Sequence, residues 1–272
     1  MERLALGFDR LHRQRRKALI PFIVAGDPGL AATVPAMHAL VEAGADVIEL
    51  GMPFSDPMAD GPVIQRASER AIAAGGGLDH ALRSVREFRT RDDRTPVVLM
   101  GYLNPIEIRG VERFAREAAD CGVDGVLPVD LPVEEAAPLQ AGLSDAGVAL
   151  IRLVAPTTTP DRLERLAAGA EGYLYYVSYA GVTGAAQLDP ERVAARLAEV
   201  RAISPVPVVA GFGVKDAAGA VRLGSEADGV VVGSALVEAL AGAASPDEAA
   251  LRAGAFLSPL RAALDREHGG LG

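Results

Sequence analysis

Tryptophan is absent from this chain of 272 residues, cysteine occurs once, lysine twice and histidine four times. Each shortage removes a class of chemistry. With Cys121 as the only cysteine, no disulfide can form within the chain. Cys121 sits in Ala-Ala-Asp-Cys-Gly-Val-Asp, between a helix pattern and a strand pattern, where a small buried side chain is expected rather than a nucleophile. The lysines, Lys17 and Lys215, fall before the first strand and beyond a glycine-rich turn, so no lysine is placed on a strand end for Schiff-base chemistry. The histidines His12, His38, His80 and His268 lie in helix-like or tail segments and do not converge as metal ligands would. No Walker loop, dinucleotide fingerprint or nucleophile elbow occurs. A net charge of −9 with no tryptophan gives little to attract or stack on nucleic acid. The one basic cluster, His12-Arg13-Gln14-Arg15-Arg16-Lys17, reads as a solvated helix end. No apolar run approaches the roughly 18–20 residues of a membrane span, and the start of the chain lacks the apolar core of a signal peptide. The expectation is a soluble, cytoplasmic protein.

What the chain does contain is rhythm. Half of its residues are hydrophobic, and short β-branched runs recur near Leu19–Ala25, Asp46–Gly51, Pro96–Gly101, Asp124–Pro128, Ala149–Val154, Gly172–Ser178, Val206–Gly211 and Gly229–Gly233. Most are continuous rather than alternating, as parallel strands covered by helices are. Eight such runs separated by helical stretches predict an α/β fold, a (β/α)8 barrel with an N-terminal helix, spanning residues 1–272 as a single domain. Glycine recurs where a helix must end before a strand, in Glu42-Ala-Gly-Ala-Asp46, Asp120-Cys-Gly-Val-Asp124 and Asp145-Ala-Gly-Val-Ala149. Leu223-Gly-Ser-Glu-Ala-Asp228 is a looser copy. These are barrel construction and carry no function.

One interval breaks the rhythm. About 45 residues separate the second and third runs, and the excess opens with Met52-Pro-Phe-Ser-Asp-Pro-Met-Ala-Asp-Gly-Pro62. Its three prolines and two aspartates forbid a simple helix and predict a long loop after the second strand. A second long loop follows the sixth strand, Tyr179-Ala-Gly-Val-Thr-Gly-Ala-Ala-Gln-Leu-Asp189, in the glycine-rich style of a lid. Past Ser245 the chain reads as a closing helix with a frayed tail.

Glu49 stands out inside an apolar strand, on the same face as Val47 and Gly51. If that face points into the barrel, Glu49 is a buried carboxyl at the catalytic end, with a raised pKa suited to moving protons near neutrality. The other reading is an outward carboxylate paired with an arginine on a covering helix. Asp56 and Asp60 in the first long loop are either turn formers or functional, and the closeness of Asp60 to Glu49 favours function, since two carboxyls in unlike environments can divide acid and base roles. Gly211-Phe-Gly213 and Gly233-Ser234, after strands seven and eight, point to a phosphate site of exposed backbone N–H groups, with Gly184 in the second loop as a further donor. The residues together imply metal-free acid–base chemistry on a small phosphate-bearing molecule.

Several stretches, taken together, resemble the tryptophan synthase α subunits: Pro21-Phe-Ile-Val-Ala-Gly-Asp-Pro28, Ile48-Glu-Leu-Gly-Met-Pro-Phe-Ser-Asp-Pro-Met-Ala-Asp-Gly-Pro62, Met100-Gly-Tyr-Leu-Asn-Pro105, Gly125-Val-Leu-Pro-Val-Asp-Leu-Pro132, Ala180-Gly-Val-Thr-Gly184 and Gly211-Phe-Gly213. The resemblance implies retro-aldol cleavage of indole-3-glycerol phosphate to indole and glyceraldehyde 3-phosphate. It places Glu49 as the acid–base that protonates indole C3 and Asp60 as the partner of the indole N–H, contacted by Thr183 on lid closure. It places Phe22, Met100, Tyr102, Leu127, Val129, Leu153, Tyr175 and Phe212 around the indole, and Gly184, Gly213, Gly233 and Ser234 on the phosphate. It also implies a pyridoxal-phosphate β subunit in an α2β2 heterotetramer, receiving indole by tunnel and faced by Asp56, with no cofactor or metal in this chain. Val129 and Met100 stand where alanine and leucine are common, changes that tune the slot, and Tyr179 opens the second loop where smaller or basic residues are familiar. A free-standing lyase would carry the same motifs. A non-catalytic partner that only activates a β subunit is disfavoured by the intact Glu49 and Asp60.

Overall fold

The computed structural model describes residues 1–177, 190–211 and 213–268. Its strands are β1 (Ala18–Val24), β2 (Ile48–Gly51), β3 (Val97–Gly101), β4 (Gly125–Pro128), β5 in two segments (Ala149–Leu150 and Arg152–Val154), β6 (Leu174–Val177), β7 (Val208–Gly211) and β8 (Gly229–Val232). The helices are α1 (Glu2–Arg13), α2 (Thr33–Glu42), α3 (Pro62–Ala73), α4 (Leu78–Phe88), α5 (Leu103–Arg109), α6 (Val111–Cys121), α7 (Ala137–Asp145), α8 (Pro160–Ala168), α9 (Pro190–Ile203), α10 (Ala217–Glu226), α11 (Ser234–Leu240) and α12 (Pro246–His268). Every strand pairing is parallel, and β1 lies between β2 and β8. The sheet begins and ends on the two segments of β5, the first bonded to β4 and the second to β6. Because Ile151 joins those segments, the chain itself closes the ring. The barrel expected from the sequence is therefore present, with its fifth strand divided rather than continuous.

Two hydrophobic layers follow from the alternation of strand residues. Ile48, Leu50, Val97 and Leu99 point outward and pack beneath the helices. Ile20, Phe22, Val47, Val98, Leu127, Tyr173, Tyr175, Val209 and Val231 point inward and fill the barrel. The inner layer continues into α1, whose Leu4, Phe8 and Leu11 are buried at helical spacing across the bottom of the barrel. Each such side chain contributes about 1.5–3 kcal/mol on burial, so α1 is firmly seated.

The three stop glycines behave as their sequence context predicts. Gly44, Gly122 and Gly147 have φ of 98°, 86° and 74°, a left-handed region that side chains disfavour. Gly224 does not repeat the device: it is still helical, in the last turn of α10 before Glu226, and is not among the glycines with positive φ. The excess between β2 and β3 is likewise only partly loop, since residues 52–61 connect to two successive helices, α3 and α4. The second long loop, with Tyr179, lies outside the described residues. Cys121 ends α6 and is buried. The basic cluster is less solvated than expected, because Arg16 bonds Asp265 and the Lys17 ammonium donates to the Ala227 carbonyl.

A repeated device ties the bottom face together. Asp46, Asp124, Glu171 and Asp228 precede the even strands β2, β4, β6 and β8. Each carboxylate accepts the backbone N–H of the preceding odd strand, from Leu19, Val97, Leu150 and Val208, at 2.8–3.0 Å. Three of these residues return the bond, donating their own N–H to the carbonyl of Leu19, Val97 or Val208. Arg261, Arg89 and Arg201 then pair with Asp46, Asp124 and Asp228. The unpaired amides at the start of parallel strands are thus satisfied without water.

Candidate active site

Glu49 occupies the middle of β2, in register with Phe22 on one side and Val98 on the other. Its side chain is fully buried and points into the barrel, as its spacing from the inward Val47 requires. No arginine meets it, so the outward ion-paired reading fails. Its Oε1 accepts a 2.7 Å hydrogen bond from the Tyr173 hydroxyl, and its Oε2 has no partner among the described residues. Burial is the dominant influence on this carboxyl and pushes its pKa up to about 8, the Tyr173 bond opposing the shift.

Asp60 hangs over the same end of the barrel from the loop between β2 and α3. Its Oδ2 accepts a 3.1 Å hydrogen bond from the Tyr102 hydroxyl, which itself accepts from the Ala59 N–H at 2.9 Å. Gln65 on α3 donates to the Asp60 carbonyl, fixing the backbone that carries the carboxyl. Burial again dominates and raises Asp60 to about 6, with the Tyr102 bond opposing it. Burial therefore acts more strongly on Glu49 than on Asp60, favouring the acid form of the first over that of the second. Two carboxyls in such unlike environments are suited to divide acid and anion roles.

Between them the chain builds an apolar cleft. Phe22, Met100 and Val129 line it together with Asp60, Gly51, Ile64 and Ser68. Glu49 lies one layer below, two residues back along the face of β2 that ends in Gly51. Leu127, Leu153 and Tyr175 belong to the inner barrel layer beside this cleft. Tyr102 stacks near Phe54, with ring centroids 5.2 Å apart, so the first loop covers its ring. Gly211 is held by Tyr175: a Cβ there would stand 2.0 Å from the Tyr175 hydroxyl oxygen. Gly211→Ala is accordingly expected to displace the tyrosine and lower stability by about 1–3 kcal/mol, read from urea unfolding.

At the ends of β7 and β8, Gly213 has φ of 50° and is exposed, while Gly233 precedes α11 and Ser234 is its first residue. Gly233 also backs onto Phe22, 3.7 Å from where a Cβ would be, so this junction adjoins the cleft. Asp56 is exposed and accepts from the Ser55 hydroxyl of its own loop. Thr183, Gly184 and Phe212 lie outside the described residues. Among the described residues no cluster of three or more His, Cys, Asp or Glu side chains is arranged to hold a metal. The sequence reading passed over Tyr173, although its place two residues before Tyr175 put it on the same inward face.

A sequence profile described as tryptophan synthase alpha chain matches residues 8–264. The chain belongs to the tryptophan synthase alpha chain family. It is 62% identical to the tryptophan synthase alpha chain of Xylella fastidiosa, over 97% of this chain and 99% of that one. It is 61% identical to that of Xanthomonas euvesicatoria pv. vesicatoria, over 98% and 100%. Among solved structures, tryptophan synthase subunit alpha from Legionella pneumophila superposes with a TM-score of 0.90 at 44% identity, over 97% of this chain and 98% of that one. Tryptophan synthase alpha chains are lyases that cleave indole-3-glycerol phosphate, and the cleft described above sits on the strand-end face where barrel enzymes keep their chemistry.

Proposed function

We propose that this barrel, acting as one domain, cleaves indole-3-glycerol phosphate with Glu49 and Asp60 as its two working carboxyls. Glu49, protonated in its dry pocket, gives its proton to indole C3. Asp60, ionised, accepts the indole N–H and stabilises the positive charge that spreads to that nitrogen. The C3–carbon bond then breaks, its electrons returning to the indole ring, while the adjoining hydroxyl loses its proton to the Glu49 carboxylate and becomes the aldehyde of glyceraldehyde 3-phosphate. The observation that carries this reading is geometric: a fully buried Glu49 faces into the barrel beneath an apolar cleft whose wall carries Asp60.

Phe22, Met100, Tyr102, Leu127, Val129, Leu153 and Tyr175, with Phe212, hold the indole by apolar contact. Gly213, Gly233 and Ser234, with Gly184, take the phosphate on backbone N–H groups at the start of α11. Thr183 meets Asp60 when the second loop closes. None of this chemistry requires a metal or a cofactor in this chain. The partner is a pyridoxal-phosphate β subunit in an α2β2 assembly within the cytoplasm. No helix among the described residues is long and apolar enough to cross a membrane. Asp56 faces the partner, and Met58 and Ile108, 82% and 80% exposed at the same end of the barrel, offer the apolar contacts of that surface.

The test is indole release from indole-3-glycerol phosphate, measured with and without the β subunit. Activity only with the partner supports the assembly, rapid turnover by the isolated chain supports a free-standing lyase, and no release in either case removes the assignment of Glu49 and Asp60. In the same assay Asp60→Asn should lower kcat by about 10- to 100-fold, because a hydrogen bond to a charged group contributes about 1.5–3 kcal/mol.

A further inference from the structure

We propose that the N-terminal helix α1 belongs to the catalytic apparatus: Phe8, acting through Tyr173, seals the barrel from below and sets the environment of Glu49. Three side chains form an unbroken column from the bottom face to the carboxyl. The Phe8 ring lies 5.8 Å from the Tyr173 ring at an interplanar angle of 51°. Tyr173 is fully buried, and its hydroxyl reaches Glu49 at 2.7 Å. Phe8 and Tyr173 are in direct ring contact, so the dryness of Glu49 on this side depends on α1.

The helix is fastened for this task. Leu4 and Leu11 flank Phe8 on its buried face. Arg3 at its start donates to Asp124 and to the Asp93 carbonyl, and Arg16 just beyond it bonds Asp265. These bonds hold Phe8 against Tyr173 from both ends. Tyr173 in turn works against the seal, since its hydroxyl favours the ionised carboxylate while the surrounding apolar packing favours the acid. Phe8 and Tyr173 therefore act on Glu49 with opposite sign, and that opposition separates a positioning role from a merely structural one.

The groups facing Glu49 are few. From β6 comes Tyr175, and from the position just before that strand Tyr173, both held protonated by burial. From β1 and β3 come Phe22 and Val98, which do not titrate. Asp60 stands above and titrates near 6. On α1, Arg3 is engaged by Asp124, and Asp9, the charged neighbour of Phe8 in sequence, is exposed to solvent. A change in ionisation near pH 8 is thus assignable to Glu49 itself.

This inference rests on Glu49 being the acid of the reaction, and the experiment separates the two. The carboxyl C=O infrared band of Glu49, identified as the band lost in Glu49→Gln, is titrated in the full chain alongside the pH profile of indole release. Phe8→Ala is expected to move the band's midpoint down by about one pH unit as water enters beneath Tyr173, and Tyr173→Phe to move it up. Phe8→Leu, which keeps the site apolar, should restore the wild-type midpoint whatever stability it has lost. An unmoved midpoint in a folded Phe8→Ala protein overturns the proposal, as does a shift of the same sign in Phe8→Ala and Tyr173→Phe. A midpoint that moves as stated while the alkaline limb of kcat stays fixed keeps the role of α1 and removes Glu49 as the acid.

Discussion

Glu49→Gln is expected to lower the rate of indole release by about 10²- to 10⁴-fold, the usual contribution of a positioned acid–base group, while leaving the chain folded. Glutamine preserves the shape of the side chain and can still accept from Tyr173, but it cannot deliver a proton. The same substitution should change stability in a pH-dependent way. The wild-type carboxyl titrates near its ordinary value of 4.5 in the unfolded chain and near 8 in the barrel. A raised folded-state pKa contributes stability that is fully present below 4.5 and is lost as pH rises through 8. Each unit in that window removes about 1.4 kcal/mol from the wild type. The variant has nothing to titrate there. Its unfolding midpoint should fall behind the wild type at pH 4, by about 1–3 kcal/mol for the unpaired amide, and gain on it steadily towards pH 8. Chemical denaturation at four or five pH values would show it. Parallel stability curves would mean that Glu49 is not held as a buried acid.

The second large effect is on the opposite face. Asp124 is 1% exposed and joins three elements: Arg3 of α1, Arg89 following α4, and the Val97 N–H of β3. Asp124→Ala leaves the Arg89 guanidinium, whose side chain is 10% exposed, without its carboxylate. Breaking a buried pair from one side costs about 3–5 kcal/mol. The lower end applies, because Arg89 keeps the carbonyls of Gly122, Asp92 and Thr95. Thermal unfolding should register this loss. Asp124→Asn, which can still accept the Val97 N–H, should lose about half as much. Equal losses in the two variants would mean that the strand amide, rather than the ion pairs, is the minor partner.

The parts of the fold written in local periodicity were legible before any coordinates. Strand runs, stop glycines and the N-terminal helix are each set by a few neighbouring residues, and the inward face of Glu49 followed from Val47 and Gly51. What was not legible depends on residues far apart in the chain. Tyr173 meets Glu49 across 124 positions, and nothing near either residue announces the other. The division of β5 at Ile151 is a matter of which neighbour each half pairs with, and its apolar run gives no sign of it. Gly224 shows the reverse case: its setting resembles a helix stop, yet the helix runs on to Glu226 before it ends. Asp46, Asp124 and Asp228 were visible in the linkers, but their bonds to neighbouring strands were not, because an aspartate before a strand looks the same whether it faces water or an amide.

The divided fifth strand also bears on the size of molecule the barrel can accept. Around β1, β2 and β3 the ladder is continuous, so Phe22, Glu49 and Met100 keep fixed spacings. Leu127 and Leu153 stand on opposite sides of the interruption, on β4 and on the second segment of β5, whose backbone bonds run to different neighbours. A ring that presses on this side meets the one divided strand of the barrel, separated by β3 and β4 from the stave that carries Glu49.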